Sequence, residues 1–523
     1  MHLAPPVRRR ESGGASRFVK FQRLLEDIEP NGHRAKDLGR RPAHRRGSRL
    51  RQASSVSSSI AARFLRSALP RPYKVKEVAS ILRSSLTAFQ AGAVLVGVVV
   101  GIGIFKTPAV VASNVASEAE YLGLWLLGGL ITLIGALCYA ELGSTYPHVG
   151  GEYHFLKKAY GRQLAFLFAW GRMTVMQSGS IAAVAFVYGD YASFLVPAGP
   201  FGSGIHAALA VIAFSALQLM GTEVGSRAQL ALTLATVAVV LIVTFIGLTI
   251  SSPSAPGPPT ERSGATGLAM VFILLTYGGW SEAAYLSGEV RDAERDIPRA
   301  LLFGTVAVTA LYLVANLAYL MAFGLEGLRQ SKTIAADLVA SAVSAKGAEV
   351  VAAIVCITSL STLNATVLTG ARSIYALGRS FAPFAVLGRS ALGGVAPRNA
   401  ILLQAAVATG LILFGAHSRD GFEAMVEYTA PVFWAFMLLV GLSLFVLRWR
   451  DPKRARPFRV PLYPVTPAIF CGTSAYLLYS SLVYTGAGAL VGVGILLAGI
   501  PIFRFGRRQT ARNSPGRFKG HTR

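Results

Sequence analysis

The chain has 523 residues, 53% of them hydrophobic and only 15% charged, with a mean hydropathy of +0.50. Soluble domains carry about 25% charged residues, so a water-facing globular enzyme is excluded. A formal net charge of +26 would suit a nucleic-acid binder, but long apolar blocks would not, and the two properties separate along the chain.

Residues 1–85 hold 20 Lys/Arg against 6 Asp/Glu, including Arg8-Arg9-Arg10 and Arg45-Arg46, with little apolar periodicity. This composition predicts a basic, disordered cytoplasmic tail attracted to anionic lipid. An Arg/Ser-rich transit peptide and a misassigned start codon are the competing readings. From 86 to 505 the chain is a succession of apolar blocks on the roughly 20-residue scale of a bilayer-spanning helix. Twelve blocks follow one another: 87–113, 122–146, 164–195, 205–221, 228–250, 266–288, 300–324, 348–378, 400–416, 425–447, 465–484 and 487–505. The expectation is an all-α integral membrane protein with twelve transmembrane helices, closed by a short basic tail at 506–523.

The basic residues orient these blocks. With the N-terminus in the cytoplasm, 43 of the 51 Lys/Arg fall on the inner side, against five on the outer: Arg262, Arg329, Lys332, Lys346 and Arg419. Lys106, Arg172 and Arg372 lie inside blocks. Both termini are therefore expected in the cytoplasm, and a bacterial inner membrane is the expected location. Cys138, Cys356 and Cys471 each sit in an apolar block, where a packed thiol is the simplest role. The histidines lie in tails, loops and block ends with no metal spacing, which argues against a membrane enzyme or a resident metal. No phosphate-binding Gly-rich loop with a following Lys-Ser/Thr occurs, so ATP drive is not encoded.

Two blocks are interrupted. The first carries Gly101-Ile102-Gly103-Ile104-Phe105 and then Lys106-Thr107-Pro108; the sixth carries Tyr277-Gly278-Gly279-Trp280. Paired glycines weaken a helix, and Pro108 suits the first turn of a new one. If the first ten blocks form two five-helix halves, the interruptions occupy equivalent positions, which points to a transporter site at the bilayer midplane. Close helix packing at glycine is the plainer alternative.

These interruptions resemble the amino acid–polyamine–organocation permeases. So do Tyr139-Ala140-Glu141-Leu142, Gly150-Gly151-Glu152-Tyr153, Lys158-Ala159-Tyr160-Gly161, Gly288-Glu289-Val290, Arg295-Asp296-Ile297-Pro298-Arg299-Ala300, Leu363-Asn364-Ala365 and Arg456-Pro457-Phe458-Arg459-Val460-Pro461. The resemblance spans about 87–505 and is nearest to the L-type amino acid transporter branch and its bacterial relatives. It implies the leucine-transporter fold: a five-plus-five inverted repeat, then two accessory helices. It also implies that amides of Gly101, Ile102, Gly103 and Ile104 bind the substrate carboxylate, and that carbonyls of Leu275, Thr276 and Gly278 receive the α-amine. Tyr277 and Gly279 complete the second interruption, with Trp280 and Ser281 near the substrate side chain.

Several positions depart from the family pattern. Ile102 stands where a small residue, often Ser, is usual, which predicts a narrowed pocket. Leu275 stands where the L-type branch often has an aromatic gate. Thr236 stands where many members have a lysine, so a sodium ion is hypothesised among Thr236, Thr362 and carbonyls near Val99 and Val100, with Thr358 and Ser361 as neighbouring hydroxyls. The alternative is that these hydroxyls bond their own helix backbone. Glu282 reads as a proton carrier or cation anchor, or as the partner of Arg172 or Arg372. Glu141 and Glu289 are expected to contact loop arginines at the inner ends, and Lys106 and Asp190 to pair toward the outer face. Pro431 predicts a kink, with Phe433 and Trp434 lining a pocket or facing lipid.

The resulting function is secondary active transport of small or medium neutral amino acids by alternating access, not enzymatic chemistry. A sodium ion or a proton is the candidate coupling ion, with exchange and uniport left open, and no other cofactor is expected. The partners are the amino acid and the lipid bilayer, with no nucleic acid. The resemblance to the L-type branch, whose animal members join a single-span partner through a loop cysteine, implies no such disulfide-linked subunit here, because 197–204 has no cysteine. An amino acid sensor without turnover, and a permease for polyamines or other amines, are the alternatives.

Overall fold

The computed structural model describes residues 88–148, 150–220, 226–249, 265–282, 292–381, 384–388, 397–418, 420–484 and 487–512. The basic tail at 1–85, the side chains of Glu282 and Arg372, and Glu289 lie outside the described residues. Among those described, the chain is helical and has no strand. The elements are α1 (Ala88–Val99), α2 (Thr107–Ser113), α3 (Glu118–Thr145), α4 (Gly151–Tyr160), α5 (Arg162–Gly171), α6 (Gln177–Leu195), α7 (Gly202–Leu219), α8 (Ser226–Thr249) and α9 (Thr266–Thr276). Then follow α10 (Ala293–Gln330), α11 (Ile334–Ala342), α12 (Ala345–Ser380), α13 (Arg398–Ala416), α14 (Gly421–Arg450), α15 (Val465–Val483) and α16 (Ala487–Arg512).

Each of the twelve apolar blocks is largely helical over its described residues, blocks one and six being broken at their interruptions. Among the described residues six helices, α3, α7, α10, α12, α13 and α14, are long and apolar enough to cross a membrane unaided. The count is eight if α1 with α2, bent by 54°, and α15 with α16, bent by 116°, each serve as one span. The shortfall from twelve has local causes. Block three is divided into α5 and α6 by a π-helical turn at Arg172–Met176, and α9 stops at the second interruption. Block seven is extended to Gln330 through a non-helical Gly324. The last helix continues to Arg512, past the expected end at 505. Pro431 lies within α14, which runs on from Gly421 to Arg450.

Local chemistry sets the helix ends. Ser117 caps α3 by accepting from the Glu120 amide at 3.2 Å, while Glu120 accepts in return from the Ala116 amide at 2.8 Å. This reciprocal capping box satisfies two donors that a helix start leaves without partners. The same Glu120 carboxylate accepts from the Thr266 hydroxyl at 3.0 Å, tying the start of α3 to the start of α9. Large apolar side chains such as Leu209, Ile212, Phe245 and Phe303 are exposed on the outer faces. Such a surface suits lipid rather than water.

The packing has a regular pattern. α2 packs on α9, α3 on α10, α6 on α12 and α7 on α13. Each pair joins a block to the one five places later. The remaining neighbours repeat in the same way. Contact of α1 with α10 matches that of α9 with α3, contact of α8 with α12 matches that of α14 with α6, and contact of α8 with α10 matches that of α14 with α3.

Close approach fixes one glycine in this core. A Cβ at Gly189 of α6 would sit 2.1 Å from the Ser203 carbonyl oxygen, a backbone atom that cannot swing aside. At Gly123 of α3 an added Cβ meets nothing within 4 Å. Gly189→Ala is therefore expected to destabilise the fold by about 1–3 kcal/mol, whereas Gly123→Ala should leave stability equal or slightly higher. Thermal melting of the two purified variants in detergent checks this, and equal melting points would contradict the packing.

Candidate functional site

The first interruption begins where α1 ends at Val99. The Val100 amide still bonds back to the Val96 carbonyl at 2.7 Å, and then Gly101 turns extended, with φ −99° and ψ −164°. Ile102–Phe105 form a 3₁₀ turn, the Lys106 amide donates to the Gly103 carbonyl at 3.0 Å, and α2 starts at Thr107 with Pro108 in its first turn. The Val99 carbonyl, which no later turn of α1 can reach, accepts from the Gly101 amide at 2.7 Å and from the Tyr312 hydroxyl of α10 at 2.9 Å. Ile102 and Ile104 are buried in the core.

The second interruption follows Thr276. The Gly278 amide donates to the Leu275 carbonyl at 3.0 Å, and a Cβ on Gly278 would lie 2.7 Å from that oxygen. Gly279 has φ +100°, a conformation that side-chain-bearing residues rarely adopt. Trp280–Glu282 form a second 3₁₀ turn. The two interruptions touch. The Thr276 hydroxyl donates to the Phe272 carbonyl at 2.9 Å and lies 2.6 Å from the Thr107 hydroxyl, while an added Cβ at Gly103 would come within 3.1 Å of the Thr276 methyl. Tyr277 is buried, its hydroxyl donating to the Trp125 carbonyl at 3.2 Å. Trp280 packs edge-on against Tyr139, with ring centroids 4.7 Å apart, and against Phe470.

A cavity of about 180 Å³ opens beside the second interruption. Leu275, Gly278, Gly279 and Ser281 form one wall, and Phe433 of α14 lines another. Among the described residues its charged lining is Glu152 and Arg172. Glu152, in the first turn of α4, is 1% exposed; it accepts from the Tyr139 hydroxyl at 2.6 Å and from Arg172 at 3.3 Å. Arg172 opens the π-helical turn between α5 and α6. One extra residue in a helical turn re-aims its side chains, and such turns recur at functional sites.

The sequence expectations and the structure part company at several positions. The side chain of Ile102 goes into the core rather than narrowing the cavity, whose lining includes no residue of the first interruption. Trp280 turns toward α3 and α15, so Ser281 rather than Trp280 reaches the cavity. Phe433 lines the cavity, whereas Trp434 is buried outside it. Arg172 contacts Glu152, a partner the sequence did not suggest; its alternative pairing with Glu282 falls on a side chain outside the described residues. Arg172 stood out as a charge within an apolar block and Glu152 as part of the Gly150-Gly151-Glu152-Tyr153 motif, but nothing in the sequence brings the two together or marks a π-helical turn.

Two charged clusters flank the interruptions. At the predicted outer end, the Lys106 ammonium is buried, 2.8 Å from Asp190 and 2.7 Å from Asp420. The second partner was not foreseen. Asp420 also caps α14, accepting from the Phe422 and Glu423 amides at 2.9 and 3.1 Å. At the predicted inner end, Glu141 accepts from Arg448 at 2.7 Å and from the Val460 amide at 2.7 Å, with Arg456 at 3.6 Å, as the expected contact with loop arginines requires. Nearby, His148 and His154 stack at 4.1 Å. Burial first, then His148 and Lys158, pushes the His154 imidazole down to about 4.

The hydroxyl candidates lie on neighbouring helices, with Thr236 buried in α8 and Thr358 and Ser361 buried in α12. Thr358 donates to the Val355 carbonyl at 3.0 Å and Thr362 to the Thr358 carbonyl at 3.1 Å, the local bonding expected of mid-helix threonines. Among the described residues, no group of three or more His, Cys, Asp or Glu could hold a metal ion.

This arrangement agrees with comparison to known proteins. The chain is 29% identical over 414 residues to the b(0,+)-type amino acid transporter 1 of Homo sapiens, covering 77% of this chain and 83% of that protein. It is 27% identical to the serine/threonine exchanger SteT of Bacillus subtilis (strain 168), over 81% of this chain and 96% of the relative. It is 26% identical to the large neutral amino acids transporter small subunit 2 of Homo sapiens, over 81% of each chain. Residues 86–503 match the amino acid permease family along their whole length, and with helices apolar enough to span a bilayer the chain belongs to that family of multi-pass membrane transporters.

Proposed function

We propose that this chain is a secondary transporter that carries small or medium neutral amino acids across the membrane by alternating access. The observation that carries the reading is the contact between two interrupted helices, Gly103 against Thr276 and Thr276 against Thr107, beside a cavity. A zwitterion needs one pole of donors and one of acceptors. The amides of Gly101, Ile102, Gly103 and Ile104, at the positive end of a short helix, supply the donors. The carbonyls of Leu275, Thr276 and Gly278 supply the acceptors, with Tyr277 and Gly279 holding the turn. Ser281 faces the substrate side chain, and Trp280 backs the turn from the core.

The pairing of each block with the one five places later supports a five-plus-five inverted repeat of twelve spans, the last two accessory, with both termini in the cytoplasm. In that frame the Lys106 cluster closes the outer side and the Glu141 cluster the inner side. Two of the relatives named above carry serine and threonine or large neutral amino acids by their names, which supports a neutral substrate here. One of them is named as a small subunit. All three cysteines of this chain are buried, which supports an assembly without a disulfide-linked partner.

For coupling, Thr236, Thr358, Ser361 and Thr362 stand for sodium and Glu282 for a proton. A hydroxyl that donates back into its helix keeps its lone pairs for a cation, so the local bonds of Thr358 and Thr362 leave them able to serve. The Val99 carbonyl, which already accepts two hydrogen bonds, is the weakest of the hypothesised ligands.

The reading is tested by uptake of the twenty amino acids into proteoliposomes. Accumulation of at least one neutral amino acid is expected, and no uptake or binding of any would end it. Gly103→Val, which drives a branched side chain into Thr276, is expected to lower that uptake tenfold or more, about 1.4 kcal/mol per factor of ten; normal uptake would remove the first interruption from the site. Replacing sodium by choline separates the coupling ions. Lost uptake identifies sodium. Unchanged uptake with a pH dependence that disappears in Glu282→Gln identifies the proton. His154, neutral down to about pH 4, should not contribute to a pH response between 5 and 8.

A further inference from the structure

The end of the bundle that carries Glu141 gathers positive charge that the Glu141 cluster does not use. Two arginines pin the connection between α14 and α15 by capping neighbouring helices. Arg450 donates to the Ala159 carbonyl of α4 at 2.7 Å, and Arg454 to the Thr145 carbonyl of α3 at 3.0 Å. Each spends one N–H on its cap and is exposed, which leaves most of its five donors available. Arg454 also lies over the buried Tyr146 ring, 4.5 Å from its centroid, and Lys158 of α4 approaches the same ring at 5.1 Å. Lys157 and Lys453 are exposed beside them in sequence. Among the described residues, none of these five cations forms an ion pair with a carboxylate. The acid of the connection, Asp451, accepts from the Tyr146 hydroxyl at 3.4 Å.

His154 reports how closely these charges converge. Its ring stacks on that of His148, and after burial the groups that hold its imidazole neutral are His148, Lys158, Lys157 and Arg454. Two lysines of α4 and an arginine of the α14–α15 connection therefore act on one small volume. Like charges so placed repel, and one anion among them removes the repulsion while accepting several charge-assisted hydrogen bonds. A second observation says where that anion comes from. The same connection and its flanks expose side chains that water disfavours: Trp449 and Leu462 are each 80% exposed, and Tyr463 and Val465 are exposed as well. Arg448 lies over the Tyr463 ring at 3.8 Å. Tryptophan and tyrosine with basic neighbours settle at the headgroup level of a bilayer.

We propose that this face binds the phosphate of an anionic membrane lipid, with Lys157, Lys158 and Arg454 beside Tyr146 as its ligands and Arg450 and Lys453 at its rim. The phosphodiester oxygens accept from the two ammonium groups and from the remaining N–H groups of Arg454. Trp449, Leu462 and Tyr463 lie in the headgroup layer, which satisfies an apolar rim that a soluble anion leaves bare. A lipid presents its phosphate already tethered at this depth, whereas free phosphate must be captured from water against salt. A zwitterionic lipid carries an ammonium beside its phosphate, which the cluster repels, so the site selects a headgroup of net negative charge such as phosphatidylglycerol. The site is separate from the cavity and holds whatever the chain transports.

The test places the full chain in nanodiscs of phosphatidylcholine with or without phosphatidylglycerol and titrates labelled histidine by NMR, with His154 assigned from its loss in His154→Gln. A bound phosphate stabilises the imidazolium, so phosphatidylglycerol is expected to raise the His154 midpoint from about 4 by at least about one pH unit more than it raises those of His206 and His417. Mass spectrometry after detergent delipidation should find phosphatidylglycerol retained over phosphatidylcholine by at least about tenfold. Lys157→Gln with Lys158→Gln removes two exposed lysines that cap no helix, and should abolish the lipid-dependent shift and most of the retention. Lys332→Gln with Lys346→Gln, the same charge change at the predicted outer end, should alter neither. A His154 midpoint that moves no further than those of His206 and His417 overturns the proposal, as do an unchanged shift and retention in the Lys157/Lys158 variant. Inorganic phosphate added to phosphatidylcholine nanodiscs should leave His154 where it was; an equal rise would assign the face to a soluble anion and overturn the lipid assignment.

Discussion

In a bilayer, water is not available to satisfy a backbone N–H or C=O, so an interrupted helix survives only where the protein itself supplies the missing partners or where the gap lines a cavity. Both interruptions here meet that constraint. The last carbonyl of α1 is taken by Gly101 and Tyr312, and Gly278 folds back onto Leu275. The hydroxyls of Thr107 and Thr276 meet across the gap, so each interruption is the other's neighbour. Backbone groups left over at such a junction are identical in any sequence with this fold. They can recognise what all amino acids share, a carboxylate and an ammonium, but they cannot tell one side chain from another.

The flanking clusters extend the argument along the bundle. α14 supplies Asp420 to the Lys106 cluster from its first turn and Arg448 to the Glu141 cluster from its last. One continuous helix thus takes part in a charged contact at each end. Lys106 directly follows the first interruption, so any shift of that turn bears on its bonds to Asp190 and Asp420. Both clusters are formed at once in this structure. Opening either side on the proposed reading requires breaking a buried, multiply bonded charge, which costs far more than parting an exposed pair.

The family and the placement of both interruptions were legible in the sequence because they rest on local chemistry. Gly278 and Gly279 are glycines for steric reasons that act within four residues, and Pro108 starts a helix wherever it stands. Lys106 with Asp190, and Glu141 with loop arginines, could be expected because a charge in an apolar block demands a partner. What could not be read depended on the path of distant elements. Arg172 meets Glu152 only because a π-helical turn rotates one side of block three, and no residue pattern announces that turn. Trp280 could equally have faced the cavity; Tyr139 and Phe470, from α3 and α15, decide that it does not. The spans were readable as apolar blocks, but not the kinks and breaks that divide several of them; among the described residues six helices are long and apolar enough to cross a membrane unaided.

The position of Ile102 gains meaning from this comparison. A small hydroxyl residue there would place a donor at the first interruption, where the proposed reading puts the substrate's carboxylate. In this chain the isoleucine goes into the core, and the polar groups of the cavity come from elsewhere: Glu152 from α4, Arg172 from the π-helical turn, Gln177 and Ser180 from α6, and Ser281 from beyond the second interruption. Polarity thus enters the cavity wall from elements other than the first interruption, so the isoleucine there removes no hydrogen-bonding group from that wall.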